Sequence, residues 1–355
     1  MNVPDLDSFI GDDEPPTIPE IHNMIQNTPE EGIEYLNLLI DTLPDVPDEH
    51  TVDAAKTLNI VAANDPDLLV GDYHKIAEWV ASHPEETLLT NVSVMHPLLR
   101  AITNLTPHVD ADDLHEHTET YLKVFKESSN PEISEWTLPI LAKITAAYPD
   151  NFGDEETIEA LVSTLKTGSR KGRIEAIACL NEIAHDHPNK VGAHRHAVEN
   201  IWTWDSSVTV EWVSLLRTLT LPPVKSTPPK QTVITFVQIL MKNSTPPPIR
   251  VEVIETIGTL LETYPKSSAL YDANMAQFLF NELTHGDDRV RAAAAEHTVH
   301  VLLDDTDALN GVTYPELDTH LENALTSDEI DINTEDDSTE EVIDVSLNAA
   351  KKISV

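Results

Sequence analysis

The sequence predicts an all-α chain, a right-handed α-solenoid of about seven antiparallel helix pairs. Between Pro246 and Leu303 it states one pattern twice, PPPIRVEVIETIGTLLETYP and GDDRVRAAAAEHTVHVLL: a turn, an arginine, then a helix with apolar residues on two sides. Pro66, Pro107, Pro149, Pro188, Pro222 and Pro265 each follow an apolar helical stretch, at intervals of 41, 42, 39, 34 and 43 residues. A proline just past a helix end stops it, because its ring fixes φ and biases the preceding residue away from helical geometry. Stops at near-constant spacing make a period, and helix pairs repeated in this way cover their apolar faces by stacking on one another. Composition agrees: Phe, Trp and Tyr supply only 5% of residues, so Ala, Leu, Ile and Val carry the core, as helix-on-helix packing prefers.

Taken in order, residues 1–19 are acidic and crowded with Pro15, Pro16 and Pro19, and are expected to be flexible. The repeat body is expected over residues 20–326. A second set of breaks lies inside the units, at His83-Pro84, Asn130-Pro131, Gly168-Ser169, Asp205-Ser206, Pro246 to Pro248 and Asp287-Asp288. The resulting pairs are 29–42 with 49–64, 70–82 with 85–106, 111–127 with 131–148, 154–166 with 170–186, 190–202 with 206–221, 230–242 with 248–264 and 272–284 with 287–303. A helix near 313–325 caps the last pair. Asp154, Ser206 and Asp287 or Asp288 can accept from the free amides of a first helical turn. Beyond Thr326 the stretch SDEIDINTEDDSTEE reads as part of an acidic tail, 327–355, in which VIDVSLNAAKKISV regains apolar spacing as a short terminal helix that either folds back on the final pair, the favoured reading, or recruits another protein.

The second helices DDRVRAAAAEHTVHVLL, PIRVEVIETIGTLLETYP and SRKGRIEAIACLNEIAHDHP resemble HEAT repeats, while RAITNLTP and TLNIVAANDP resemble the armadillo pattern. The resemblance covers roughly residues 29–303. It implies an α-solenoid and an interaction surface, but no single activity. It also implies that Ala294 and Gly258 permit close helix approach, and that Arg289 and Arg291 form ion pairs between neighbouring units.

Charge bounds the setting. Asp and Glu total 62 against 22 Lys and Arg, a formal net charge of −40. Repulsion of this size is tolerable where salt screens it, since the Debye length falls from about 10 Å at 0.1 M to about 3 Å at 1 M. The composition resembles that of archaeal salt-in halophiles. An acidic protein that binds basic partners or mimics nucleic acid is the alternative. The lone cysteine, Cys179, excludes an intramolecular disulfide, and its place in ACLNEIA reads as a buried, inert thiol. No apolar run reaches a membrane span, and no basic-then-apolar leader opens the chain; a cytoplasmic protein without membrane partners is expected.

Candidate chemistry is local. His185, His187, His194 and His196 flank one turn and offer imidazoles to a transition metal, yet residues two apart on a helix diverge, so the reading is no metal and no cofactor. Lys166, Arg170, Lys171 and Arg173 surround the turn TGSRKGR and could hold a phosphate or carboxylate, or else neutralise acidic neighbours. Nucleic acid is disfavoured because the summed field repels it. Asn59, Asn104 and Asn181 lie on second helices, where the armadillo resemblance implies an asparagine ladder that holds an extended peptide. Trp202, Trp204 and Trp212 are candidate anchors for a partner. Iron hydroxylases of HEAT-like build use a symmetrical set of His-Glu pairs; here His115-Glu116 has that order and Glu296-His297 is reversed. The expected function is a non-catalytic protein or peptide scaffold adapted to high salt, with anionic-ligand or nucleic-acid binding at 166–173 and a HEAT-like metalloenzyme as alternatives. Oligomeric state is not legible.

Overall fold

The computed structural model describes residues 15–200, 209–225, 228–264, 267, 269–270, 274–303, 313–325 and 339–354. The chain divides into two compact units, Met1–Ala147 and Tyr148–Val355.

The first unit contains α1 (Ile18–Asn27), α2 (Pro29–Ile33), α3 (Leu36–Thr42), α4 (Thr51–Asn64), α5 (Asp67–Val70), α6 (Tyr73–Ser82), α7 (Glu85–Thr90), α8 (Val92–Leu105), α9 (Ala111–His115), α10 (Thr118–Glu127) and α11 (Pro131–Ala147). Its second helices pack in succession, α4 on α8 and α8 on α11, with α1 against the free side of α4. In this unit each first helix expected from the sequence is in fact a short helix followed by a longer one, α2 with α3, α5 with α6 and α9 with α10. The corners fall at Glu34-Tyr35, Gly71-Asp72 and Glu116-His117. Apolar spacing runs through them, with Leu69, Tyr73 and Ile76 all buried, so the pattern alone reads as unbroken helix. The predicted helix 85–106 is likewise split at Asn91, which ends α7 and begins α8.

The second unit opens with a 3₁₀ turn at Pro149–Phe152. There follow α12 (Glu155–Thr167), α13 (Arg170–Asp186), α14 (Pro188–Gly192), α15 (Arg195–Asn200), α16 (Val210–Thr218), α17 (Lys230–Met241), α18 (Pro247–Thr263), α19 (Met275–Glu282), α20 (Asp288–Leu303), α21 (Leu317–Leu325) and α22 (Thr339–Ile353). Here the succession is α13, α16, α18, α20, and α22 lies on both α20 and α21. The end of the chain is tied down: Tyr314 N donates to the Ile353 carbonyl at 3.2 Å and Ser354 Oγ to Asp318 Oδ1 at 2.9 Å. Among the described residues the β-structure is confined to an isolated bridge between Tyr314 and Ser354. No described helix is long and apolar enough to cross a membrane.

A helix leaves its last carbonyls without intrahelical partners, and the second unit meets that need with arginines from the next helix. Arg173 Nε donates to the Gly168 carbonyl at 3.0 Å, Arg250 Nη2 to Leu240 and Lys242 at 2.9 Å each, and Arg291 Nη1 to His285 at 2.7 Å. Long side chains also tie successive repeats within a unit. Lys143 Nζ reaches the Thr106 and Val109 carbonyls, Lys190 Nζ that of Gly153, and the Tyr264 hydroxyl those of Thr220 and Lys225. Arg289 pairs with Asp287 and Arg291 with Asp288, both in their own turn. In the second unit Arg250 is joined to Glu282 of the next pair at 2.6 Å and Arg217 lies 3.9 Å from Glu252 of the next pair. Of the expected caps, Asp154 accepts from Thr157 N at 2.9 Å and Asp287 from Arg289 N at 3.1 Å; Ser206 lies outside the described residues.

The core is aliphatic, and threonine enters it. Thr57, Thr145, Thr220 and Thr256 are fully buried, each returning its hydroxyl to the carbonyl four residues earlier, which satisfies the group locally. Cys179 is buried, 1% exposed. Gly258 on α18 performs the role the resemblance implies. A methyl there would overlap the imidazole of His297 on α20, and Ala294 is fully buried on that same helix.

Gly258→Ala should therefore destabilise the protein despite a helix-propensity gain of about 1 kcal/mol, since overpacking costs about 1–3 kcal/mol. Gly258→Ala with His297→Ala should recover that loss. Urea unfolding of the two variants checks both expectations.

Candidate partner-binding surface

The asparagines expected to form a ladder do stand on second helices. On α4, Ala54, Ala55, Leu58, Val61 and Ala62 face the core, leaving Asn59 half-buried at the edge. On α8, Leu98, Leu99, Ala101, Ile102 and Leu105 are buried and Asn104 is half-buried. Since α4 and α8 pack directly, Asn59 and Asn104 belong to neighbouring helices of one row. Asn181 sits on α13 of the second unit and is 7% exposed. The Oδ1 atoms of Asn59 and Asn181 are buried without a hydrogen-bond partner among the described residues. An unsatisfied buried acceptor costs about 1–3 kcal/mol.

Sequence reasoning missed the residues beside Asn104. His96, Arg100 and Asn104 recur every fourth position of α8, an outward stripe on an otherwise apolar helix. Trp136 of α11 completes it. The Arg100 guanidinium lies 5.1 Å from the Trp136 ring centroid, and the His96 ring is 5.4 Å from it. Thr103 Oγ1 donates to the Trp136 carbonyl at 3.1 Å. A half-buried indole flanked by a guanidinium and an imidazole offers an aromatic wall with polar rims. The four-residue spacing was the available signal.

Two of the expected tryptophan anchors, Trp202 and Trp204, lie outside the described residues. Trp212 is fully buried, and its indole N–H donates to the Val198 carbonyl at 2.8 Å. Its ring fills the interior between α15 and α16, so no surface of it is left to meet a partner.

The cations of the turn 166–173 do fall together, at the end of α12 and the start of α13. Ser169 caps α13 by accepting from Gly172 N, and Arg173 is committed to the Gly168 carbonyl. Burial pushes the Glu175 carboxyl up from its ordinary value, and the charge of Lys171 opposes that shift. At least two of the four cations thus serve protein groups. The four histidines do not converge. His187 Nε2 lies 3.3 Å from Asp150, with its ring against Gly153, and His196 Nδ1 meets the buried Glu199 at 3.1 Å. His185 is exposed.

A cleft of about 440 Å³ opens in the second unit among the ends of α17, α18 and α19, lined by Met241, Asn243, Arg250, Phe278, Glu282 and His285. The Arg250–Glu282 pair is its buried wall, at 3% and 7% exposure, and Met241 stands 67% exposed at the side.

No protein-family model matches the chain, and no curated protein sequence does. Solved structures do resemble it. A chain of the structure describing a phosphorylation switch in the interaction between cadherin and beta-catenin is 13% identical, with 94% of this chain and 76% of that chain covered at a TM-score of 0.58. A designed armadillo repeat protein is 15% identical over 73% of this chain and 96% of its own, at 0.41. Kap121p bound to RanGTP is 12% identical over 95% and 36%, at 0.49. The first of these carries the comparison, and at such identity it speaks to fold alone. The fold is an all-α solenoid of the armadillo and HEAT type.

Arg250→Met should destabilise the second unit by about 3–5 kcal/mol, because it strands the Glu282 carboxylate in the interior. Arg250→Met with Glu282→Leu should return most of that stability. Denaturant midpoints for the two variants decide it.

Proposed function

We propose that this chain is a non-catalytic scaffold that holds a protein partner as an extended peptide against its second helices. The observation that carries the reading lies in the first unit, where Asn59 and Asn104 stand on the directly packed helices α4 and α8 and the buried Asn59 Oδ1 has no hydrogen-bond partner among the described residues. An extended backbone presents N–H groups at regular intervals, and such a donor is what this acceptor lacks. Trp136, with Arg100 and His96 about it, supplies a place for an apolar or aromatic side chain of the same peptide. The likeness to the cadherin and beta-catenin structure, which concerns an interaction between proteins, agrees with this use of the fold.

A net charge of −40 supports a setting of molar salt, in the cytoplasm of a halophile. Exposed ion pairs are screened there, so apolar contacts and hydrogen bonds select the partner.

A random-peptide display library panned against the protein in molar salt tests this. Selected peptides should bind the wild type, and bind Asn59→Ala and Asn104→Ala at least about tenfold more weakly, each lost buried hydrogen bond being worth roughly 1–2 kcal/mol. Peptides that bind both folded variants undiminished would refute the assignment.

A further inference from the structure

Outside that surface, one group of side chains in the first unit has the chemistry of a metal site. His74, Glu116 and His117 each offer one ligand atom, and the three atoms lie within 4.8 Å of one another. Among the described residues they are the one set of histidine, cysteine or carboxylate groups so placed.

The fold builds the cluster by repetition. His74 is the second residue of α6, just past the Gly71-Asp72 corner. Glu116 and His117 form the matching corner between α9 and α10, one repeat later. Below them, Tyr73 and Tyr121 are buried and joined hydroxyl to hydroxyl at 2.8 Å. The Tyr73 ring meets both imidazoles edge-on, at centroid distances of 5.7 Å and 6.0 Å. That floor fixes the two histidine rings 6.0 Å apart.

Each side chain is oriented for ligation. His117 Nε2 is buried with no hydrogen-bond partner among the described residues. His74 has a carboxylate at each nitrogen: Asp113 Oδ1 lies 3.3 Å from Nε2 and Glu116 Oε2 lies 3.5 Å from Nδ1. With Asp113 holding the Nε2 proton, Nδ1 is left as the lone-pair donor on the side of Glu116. This is the carboxylate–histidine arrangement that fixes a metal-binding tautomer.

We propose that His74, Glu116 and His117 bind a divalent transition cation, of which Zn²⁺ is the best fit, with Asp113 as the residue that positions His74. Two imidazoles and one carboxylate are a common zinc set, leaving a fourth position for solvent. Bridging two successive corners, the ion clips one repeat to the next. The negative field of the chain raises the local cation concentration, but cannot by itself create selectivity for imidazole ligands.

Calorimetric titration of the full chain with Zn²⁺, in molar KCl with excess Mg²⁺ to occupy indiscriminate carboxylates, should show one saturable site. His117→Gln, His74→Gln and Glu116→Gln should each weaken it by tenfold or more, and Asp113→Asn by about tenfold. Circular dichroism checks that the variants remain folded, and Glu116, exposed, is the safest of them. Co²⁺ in place of Zn²⁺ should give visible bands of a tetrahedral site in the wild type that vanish in His117→Gln. An absence of saturable binding above the Mg²⁺ background, or binding unchanged in all four folded variants, would overturn the assignment.

Discussion

A hairpin of two amphipathic helices carries more apolar surface than its own two members can cover. Everything else in these units follows from how the remainder is covered. Leu58, Leu98 and Ile140 on successive second helices of the first unit are fully buried, as are Leu180, Leu216, Ile257 and Val299 in the second. Each belongs to a helix that packs on the next one in its row. At about 25 cal/mol per Å² of apolar area removed from water, the contacts between pairs are part of the core itself. A repeat in such an array is stable in proportion to its neighbours.

Polar groups are arranged to let that stacking proceed without orphaned backbone. The arginines of α13, α18 and α20 meet the exposed carbonyls at the end of the preceding helix, and Lys143, Lys190 and Tyr264 do the same for the loops that lead from one repeat to the next. Thr57 and Thr256 turn their hydroxyls back on their own helices. The carboxamide oxygens of Asn59 and Asn181 and the Nε2 atom of His117 are among the eleven buried side-chain atoms that lack a hydrogen-bond partner among the described residues.

The period was legible in the chain because prolines punctuate it. Pro66 and Pro188 mark the entry to α5 and α14, and Pro149 the 3₁₀ turn that opens the second unit. The corners within first helices were not legible, since Leu69 and Tyr73 keep a helical spacing across Gly71. Of the candidate site, the asparagines could be placed on second helices from sequence, whereas the pairing of Arg100 with Trp136 depends on how α8 and α11 meet. The partner of Arg250, Glu282, arrives only through the packing of α18 on α19. The histidine cluster escaped notice for a related reason: His74 and His117 are one repeat apart, and adjacency across a period is invisible to a search for short spacings. His187 and His196, close in sequence, meet separate carboxylates, Asp150 and Glu199.

Native-state hydrogen exchange on an Ile257→Ala variant is the most direct test of shared cover. Ile257 is fully buried on α18, which packs against α16 on one side and α20 on the other. If neighbouring pairs stabilise one another, the substitution, worth roughly 2–5 kcal/mol, should speed exchange in α16 and α20 as well as in α17 and α18. Faster exchange confined to α17 and α18, with α16 and α20 protected as in the wild type, would contradict the account.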